Sequence, residues 1–404
     1  MDRERFAEHL GTPAGLGAAP AAAFRGAAGG AACGDLVTVS VRVEGDRVAA
    51  AGFEAAGCGA LTAAGSAAVT LVEGEPLLDA ARVGAHAIAA ELGGLSAGKF
   101  HAADLVADAL HRALGGAARA QAALPVAPAR TLVAMSGGVD SAVAALLVDR
   151  GGREAVAVTL ELWADPDHDA EASCCSAHAV RVARSVAHGM GMPHFTLDLR
   201  AEFRAGVVDP FLAGYAAGVT PNPCVGCNGH VRLDAMVAFA DALGAAELAT
   251  GHYARRSPDA LLRAAADPAK DQTYMLSAVA PATLERLRFP LGELTKPEVR
   301  ALAAEAGLPV ASKAESQDLC FLAGTGKAAF LARHAGLADR PGEIVDRVRL
   351  RSHAPALPCR VAESGARGRL ALELLEPADG AAPGQTACLL RGDVVVGWGT
   401  IART

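Results

Sequence analysis

Strictly alternating apolar positions mark the first readable unit of the chain. From Leu36 the pattern runs Val37, Val39, Val41, Val43, turns at Glu44-Gly-Asp-Arg47 and returns from Val48 to Phe53. Period two on both sides of a Gly-Asp turn predicts a β-hairpin with one buried face. The rhythm then changes to helical spacing over Ala60 to Val72 and Ala102 to Leu114, so helices are expected to cover the hairpin in an α+β domain over 1–114. Residues 1–30 are rich in Ala, Gly and Pro without a clean period and predict a short helix followed by a flexible segment. The stretch 115–130 has the same composition with few charges and reads as a linker.

Behind it, short continuous apolar runs alternate with helical patterns. Strands are expected at 131–135, 155–160, 193–197 and 247–250, and helices at 142–149, 177–188 and 230–243. Apolar runs without polar alternation describe strands buried on both faces. The fold class is therefore α/β, a doubly wound parallel sheet over 131–345 with its ligand crevice at the strand ends. Residues 346–404 read as a short C-terminal β segment, with Cys359 and Cys388 as strand core residues.

Composition narrows the picture. With 52% hydrophobic and 20% charged residues the chain is globular rather than disordered. No window offers about 18 uninterrupted apolar residues, and the start Met1-Asp-Arg-Glu-Arg-Phe is too charged to lead a signal peptide. The expectation is a cytoplasmic protein with no membrane partner. Its nine cysteines then point to metal ligands or reactive thiols rather than a disulfide framework. A net charge of −7, with only 346–404 net positive, argues against a broadly basic nucleic-acid binder and leaves local patches for any RNA contact.

The densest chemistry lies at Thr131-Leu-Val-Ala-Met-Ser-Gly-Gly-Val-Asp-Ser141. An apolar strand, a turn with Gly137 and Gly138, and a helix beginning near Asp140 and Ser141 make an anion cradle of backbone N–H groups. It lacks the Lys of a Walker A loop, so it suits pyrophosphate better than γ-phosphate transfer. The run resembles the pyrophosphate loop of the N-type ATP pyrophosphatase superfamily. Further along come Asn222-Pro-Cys-Val-Gly-Cys227, Gly251-His-Tyr253, Lys270-Asp-Gln-Thr-Tyr274, Lys296-Pro-Glu-Val-Arg300 and Ser316-Gln-Asp-Leu-Cys320. In this order over 131–345 the series resembles the MnmA-type tRNA-specific 2-thiouridylases. The tail resembles only the final strands of that family's β-barrel, and the family's central domain has no counterpart between Gly342 and Arg351.

The resemblance implies ATP-dependent replacement of a uracil oxygen by sulfur in tRNA, at the wobble uridine. ATP would lie against Ala134, Met135, Ser136, Gly137, Gly138, Val139, Asp140 and Ser141, with Leu160 near the adenine and Gly251 in the nucleotide turn. Mg²⁺ would accompany it, with Asp140 as an oxygen ligand. Cys227 would be the attacking or disulfide-forming thiol, and Cys320 would take persulfide from a cysteine desulfurase or sulfur carrier. Asn222, Pro223 and Cys224 would face the target base, while Lys270, Asp271 and Gln272 would contact tRNA. One branch of the family has Asp where this chain has Cys224. Cys224, Cys227 and Cys320 together suit a [4Fe–4S] cluster with one open iron, or a zinc ion, as alternatives to a persulfide route.

Around the hairpin, Cys33-Gly-Asp35, Gly57-Cys58-Gly59 and Lys99-Phe-His101 form a soft-metal constellation that is similar to the IscU/NifU iron–sulfur scaffolds. That resemblance implies Cys33, Asp35, Cys58 and His101 as ligands. The family's next cysteine is Ala102 here, which leaves a working scaffold and a docking or sulfur-delivery module both open. Cys174-Cys175 reads as incidental, and His168, His178, His188 and His194 as surface or satisfied core. Rival functions are another N-type ligase or synthetase acting on a small molecule, and an iron–sulfur carrier. An amide-forming ligase has no use for the C-x-x-C thiols, and the intact cradle disfavours a mere carrier.

Overall fold

The computed structural model describes residues 2–29, 34–164, 176–313, 319–322, 325–336, 356–365, 369–377, 382–391 and 394–402. The expected hairpin is β2 (Leu36–Glu44) paired antiparallel with β3 (Arg47–Ala56), and an edge strand β1 (Phe24–Gly29) joins it. Val37, Val39, Val41 and Val43 are buried, as their alternation requires. The edge strand falls inside the stretch expected to be flexible. Phe-Arg-Gly-Ala-Ala-Gly carries no β-branched residue, so its extended form comes from the ladder that β2 offers rather than from local preference. Helices α1 (Arg3–Gly11), α2 (Gly59–Val72), α3 (Leu77–Ala80), α4 (Ala85–Glu91) and α5 (Phe100–Gln121) complete this α+β unit.

The linker expected at 115–130 is corrected by α5, which continues to Gln121, and by strand β4, which begins at Ala127. Small residues here are packing surface, not slack. A side chain at Gly115 would put its Cβ 1.9 Å from the Thr196 carbonyl oxygen, so glycine lets the helix lie directly on the next domain. Only 122–126 joins the two units.

The second unit begins with β4 (Ala127–Ala134), α6 (Val139–Arg150), β5 (Glu154–Glu161), α7 (Ala177–Gly189) and β6 (His194–Asp198). Short helices α8 (Arg200–Phe203), α9 (Asp209–Ala216) and α10 (Pro223–Cys227) lead through a π-helical turn at 228–232 into α11 (Leu233–Ala242) and β7 (Ala245–Ala249). The small strands β8 (Arg255–Arg256) and β9 (Leu262–Arg263) are followed by α12 (Thr273–Leu276), α13 (Pro281–Arg286), β10 (Leu287–Arg288), α14 (Lys296–Glu305) and α15 (Lys327–Ala335).

The main sheet has order β10-β7-β4-β5-β6 with every pairing parallel, the doubly wound arrangement expected. The chain reverses direction beside β4, so the crevice opens between the ends of β4 and β7. Buried residues of α6, α7 and α14 cover one face. On the other, α11 shares a continuous core with α5 of the first unit, through Leu114, Ala117, Leu197 and Phe239 among others.

Polar groups pin this junction. Arg112 on α5 reaches Glu161 at the end of β5 at 2.6 Å, and Arg184 meets the buried Asp108 at 2.6 Å. His188 and His194, expected at the surface or in a satisfied core, lie here with His111: His111 Nδ1 is 2.8 Å from the His194 carbonyl, His188 Nε2 is 3.1 Å from that of Ala81, and His194 Nε2 is 2.9 Å from Thr159 Oγ1. Burial, reinforced by Arg184, pushes His188 down to about 4 and His194 well below its ordinary value. Both are therefore neutral in the fold and protonate readily once it opens. The unfolded chain binds more protons between about pH 6.5 and pH 4, so stability falls as pH drops through that window, by about 1.4 kcal/mol per unit for each histidine. A melting temperature lower at pH 5 than at pH 7.5 is expected; an unchanged one contradicts the neutral interface.

The tail contributes β11 (Cys359–Gly365) with β12 (Arg369–Leu374), and β13 (Thr386–Arg391) with β14 (Val394–Thr400). The last hairpin adds to the second unit, giving a sheet of order β13-β14-β9-β8. Cys359, expected in a core, is exposed, because its hairpin forms a two-stranded sheet of its own; Cys388 is half-buried.

Candidate active site

The helix after β4 starts three residues earlier than its apolar pattern suggested, with Gly138 as N-cap and Val139, Asp140 and Ser141 in the first turn. Gly137 takes φ +70°, a conformation that favours glycine. Ser141 organises the loop: its Oγ accepts from the Ser136 N–H at 3.1 Å and donates to the Gly138 carbonyl at 3.1 Å. Ala134 is half-buried, Met135 and Val139 are buried, and the Ser136 side chain is exposed at the mouth of the cradle. Leu160 is buried near the end of the adjacent β5. Gly251, just beyond β7, faces the same backbone, where an added Cβ would sit 2.8 Å from the Ser141 nitrogen. His252 bonds to Thr250 Oγ1 at 2.9 Å, and burial followed by the nearby Arg232 holds its imidazole down to about 3.

Asp140 has a different occupation from the Mg²⁺ contact expected of it. Both its oxygens are taken by the Lys296 ammonium, at 2.7 and 2.8 Å, and Oδ1 also accepts from the Tyr253 hydroxyl at 2.8 Å. A carboxylate already neutralised by an ammonium is a poor direct ligand for Mg²⁺, which demands near-octahedral oxygen coordination. Lys313 donates to the Gly137 carbonyl at 2.9 Å. The cradle without a Walker lysine thus receives two lysines from distant sequence. Lys296 stands at the first position of α14, whose Thr295–Glu298 capping box fixes the helix start, and its own N–H donates to Asp267 Oδ2 at 3.0 Å.

The thiol helix lies a short bonded path away. Gln272 Oε1 accepts from the Tyr253 N–H at 2.9 Å, and α12 follows directly. Asn222 caps α10, its Oδ1 accepting from the Cys224 and Val225 N–H groups at 3.2 and 3.4 Å. Pro223 occupies the first helical turn, where a missing N–H costs nothing. Cys224 is half-buried and Cys227 buried, three residues on. Cys320 opens a short helical turn at 320–322, whose Phe321 packs on Phe203 and Phe211. Those rings flank the turn 204–208 on which α10 rests.

The expected tRNA contacts Asp271 and Gln272 are engaged internally. Asp271 Oδ1 accepts from the Ala265 N–H at 2.8 Å and its Oδ2 from Thr273 Oγ1 at 2.6 Å, so both residues shape the turn after Lys270.

Among the described residues, one group of three metal-type ligands has its donor atoms all within 4.8 Å of one another: Asp35, Cys58 and His101. Asp35 is buried, its Oδ1 accepting from the Cys58 N–H at 3.0 Å and its Oδ2 lying 3.2 Å from His101 Nε2 and 3.4 Å from Cys58 Sγ. One oxygen, one sulfur and one nitrogen at this spacing fit a single zinc-like ion. Cys33, Cys174, Cys175 and His168 lie outside the described residues. Ala102 is fully buried. Among the described residues, Cys224, Cys227 and Cys320 are not grouped at that spacing.

Sequence reasoning missed Lys296, Lys313 and Tyr253 as members of the cradle. The first two had no signal beyond being lysines in a short motif and a loop.

Comparisons with known proteins divide the chain into three matched parts. The family model described as NifU-like N terminal domain matches residues 1–122, tRNA methyl transferase HUP domain matches 129–324, and aminomethyltransferase beta-barrel domain matches 333–401. The chain is 49% identical over 227 residues to the tRNA-specific 2-thiouridylase MnmA of Xanthobacter autotrophicus, covering 54% of this chain and 58% of the relative. With the enzyme of that name from Thermus thermophilus it shares 49% over 225 residues, 54% of this chain and 60% of the relative, so it spans less than two thirds of these enzymes' length. The Bifunctional protein NifU/MnmA of Rubrobacter xylanophilus is 45% identical over 360 residues, 85% of this chain and 72% of that protein. With both domain types matched in one order and this identity across most of the relative, the chain belongs to the bifunctional NifU/MnmA family.

Proposed function

We propose that the protein catalyses ATP-dependent 2-thiolation of a uridine in tRNA, at the wobble position. The observation that carries this reading is the bonded path from Asp140 through Tyr253 and Gln272 to α12, whose Met275 carbonyl accepts from Asn228 Nδ2 at 3.3 Å beside Cys227. A nucleotide cradle and a thiol helix anchored to one another in this way serve one reaction.

Oxide is too poor a leaving group to be displaced from uracil directly. The uracil O2 therefore attacks the α-phosphorus of ATP, supplied as its magnesium chelate, and pyrophosphate departs into the Ser136–Ser141 cradle. The N–H groups there, with Lys296 and Lys313, take up the charge that develops on the leaving group. The terminal sulfur of a Cys320 persulfide then attacks C2 and AMP leaves. The Cys227 thiolate cleaves the S–S bond, which frees 2-thiouridine and leaves a Cys227–Cys320 disulfide that an external two-electron reductant reopens. Cysteine desulfurase chemistry, directly or through a carrier, reloads Cys320.

Cys224, Cys227 and Cys320 are also the thiolates that would hold a [4Fe–4S] cluster, which when bound would supply a sulfur-binding iron. Asp35, Cys58 and His101 fit an ion that tunes the N-terminal unit as a docking module for the donor. A cytoplasmic setting follows from the tRNA substrate.

The test is direct. The purified chain, unmodified tRNA, MgATP and a desulfurase with cysteine are incubated, and nucleosides are read by mass spectrometry. 2-Thiouridine and pyrophosphate in equal amounts are expected; neither product with any tRNA overturns the assignment.

A further inference from the structure

The turn Asp267-Pro-Ala-Lys270 holds a buried carboxylate beside the cradle. Asp at the first position and Pro at the second favour such a turn, and the Lys270 N–H closes it on the Asp267 carbonyl at 3.1 Å. Asp267 Oδ1 accepts from the Ala269 N–H at 3.0 Å, which orients the side chain. Its Oδ2 accepts from the Lys296 N–H at 3.0 Å, across 29 positions of sequence.

The second bond falls where the chain needs it. Lys296 is the first residue of α14 and stands before Pro297, whose ring disfavours helical backbone in the residue ahead of it. Pro297 itself brings no N–H, so the Lys296 N–H is one of the few donors by which this helix start can be held from outside. The capping box closes between Thr295 and Glu298 and leaves that donor to Asp267. From the backbone so placed, the Lys296 side chain, 9% exposed, sets its ammonium 2.7 and 2.8 Å from the two Asp140 oxygens. The far end of the same segment holds the other donor to Asp140. The Gln272 N–H donates to the Tyr253 carbonyl at 2.9 Å, the Tyr253 N–H returns a bond to Gln272 Oε1 at 2.9 Å, and the Tyr253 hydroxyl reaches Asp140 at 2.8 Å. Residues 267–272 thus hold Asp140 through both lysine and tyrosine.

We infer that Asp267 is a positioning residue for pyrophosphate departure: by fixing the backbone of Lys296 it sets that lysine's ammonium on Asp140 beside the cradle. The inference rests on the thiolation reading for its kinetic arm only. It also gives the turn ending at Lys270 an inward role, since the segment expected to meet tRNA is the one that holds the cradle's lysine.

The test is Asp267→Asn in the full chain. An amide has one oxygen, so only one of the two N–H groups keeps an acceptor and the other faces an NH2 group. Pyrophosphate release in a single turnover with tRNA and MgATP is expected to slow about tenfold, the scale of one lost buried hydrogen bond. In a chain already carrying Lys296→Met, the same change is expected to cost less than about twofold more, because the group it acts through is gone. Acetylation of Lys296 by acetic anhydride, mapped by mass spectrometry with Lys99 of the first unit as internal reference, is expected to accelerate severalfold. Unchanged release and acetylation overturn the inference, as does a full loss on top of Lys296→Met, which assigns Asp267 to the turn alone. If the wild-type chain releases no pyrophosphate with tRNA, the functional reading fails, and the acetylation rates still decide whether Asp267 holds Lys296. Should Asp267→Asn fail to fold, Asp267→Glu keeps the charge and displaces the oxygens. A loss there that disappears in the Lys296→Met chain supports the inference, and one that persists overturns it.

Discussion

Serine in place of Cys227 or Cys320 is expected to stop 2-thiouridine formation, by at least about 10³-fold, while pyrophosphate release continues. The reason is the oxygen itself: a hydroxyl cannot carry a transferable sulfur atom, and at neutral pH it does not cleave an S–S bond as a thiolate does. The two variants should fail differently. Cys320→Ser cannot be loaded, whereas Cys227→Ser accepts persulfide on Cys320 and stalls with the base linked to it. Mass spectrometry of the protein after incubation with the donor separates these states. Cys224→Ser separates the two sulfur routes, because persulfide transfer needs only Cys227 and Cys320, while a cluster needs the third thiolate too. Strong thiolation by both the Cys227 and the Cys320 variants would remove cysteine-borne sulfur from the mechanism.

These thiols were legible in the chain because a C-x-x-C turn behind Asn-Pro is a local signal, as was the Ser136–Ser141 loop behind its apolar strand. The parallel sheet was legible for the same reason: strands buried on both faces announce themselves as apolar runs. The charges that complete the cradle were not. Lys296 meets Asp140 across 156 positions and Lys313 meets Gly137 across 176, and no periodicity encodes such a meeting. The junction was misread for a related reason. Gly115, Gly116 and their alanine neighbours look like a linker in isolation, but the flat surface they give α5 is what Thr196 and Leu197 pack against. Smallness signals slack or close contact, and only the partner decides which. The same holds for β1, whose six residues are strand only because β2 lies beside them.

Replacement of Lys296 by methionine is expected to lower kcat/KM for ATP by about 10²–10³, the usual scale for removing one preorganised charge from a developing anion. The side chain is well placed to supply that charge. It is largely buried, packed 5.8 Å from the centre of the Tyr253 ring, and rooted in a capped helix start, so no reorganisation is needed when phosphate arrives. Two roles are open to such a lysine, and one variant cannot separate them. It neutralises Asp140, without which that carboxylate would repel the triphosphate, and from where it is held its positive charge can offset the charge that develops on the departing pyrophosphate. The double variant Lys296→Met with Asp140→Asn separates them, since the amide leaves no charge to neutralise. If neutralisation were the whole role, the second change would restore most of the lost rate. The geometry favours the other result, because a cradle that has no lysine of its own draws its cations from elsewhere, and the double variant is expected to stay as slow as Lys296→Met. Pyrophosphate release measured in a single turnover reads this step without sulfur transfer. Recovery to within about threefold of wild type would reduce Lys296 to a counter-ion and leave the leaving group to Lys313 and the loop N–H groups.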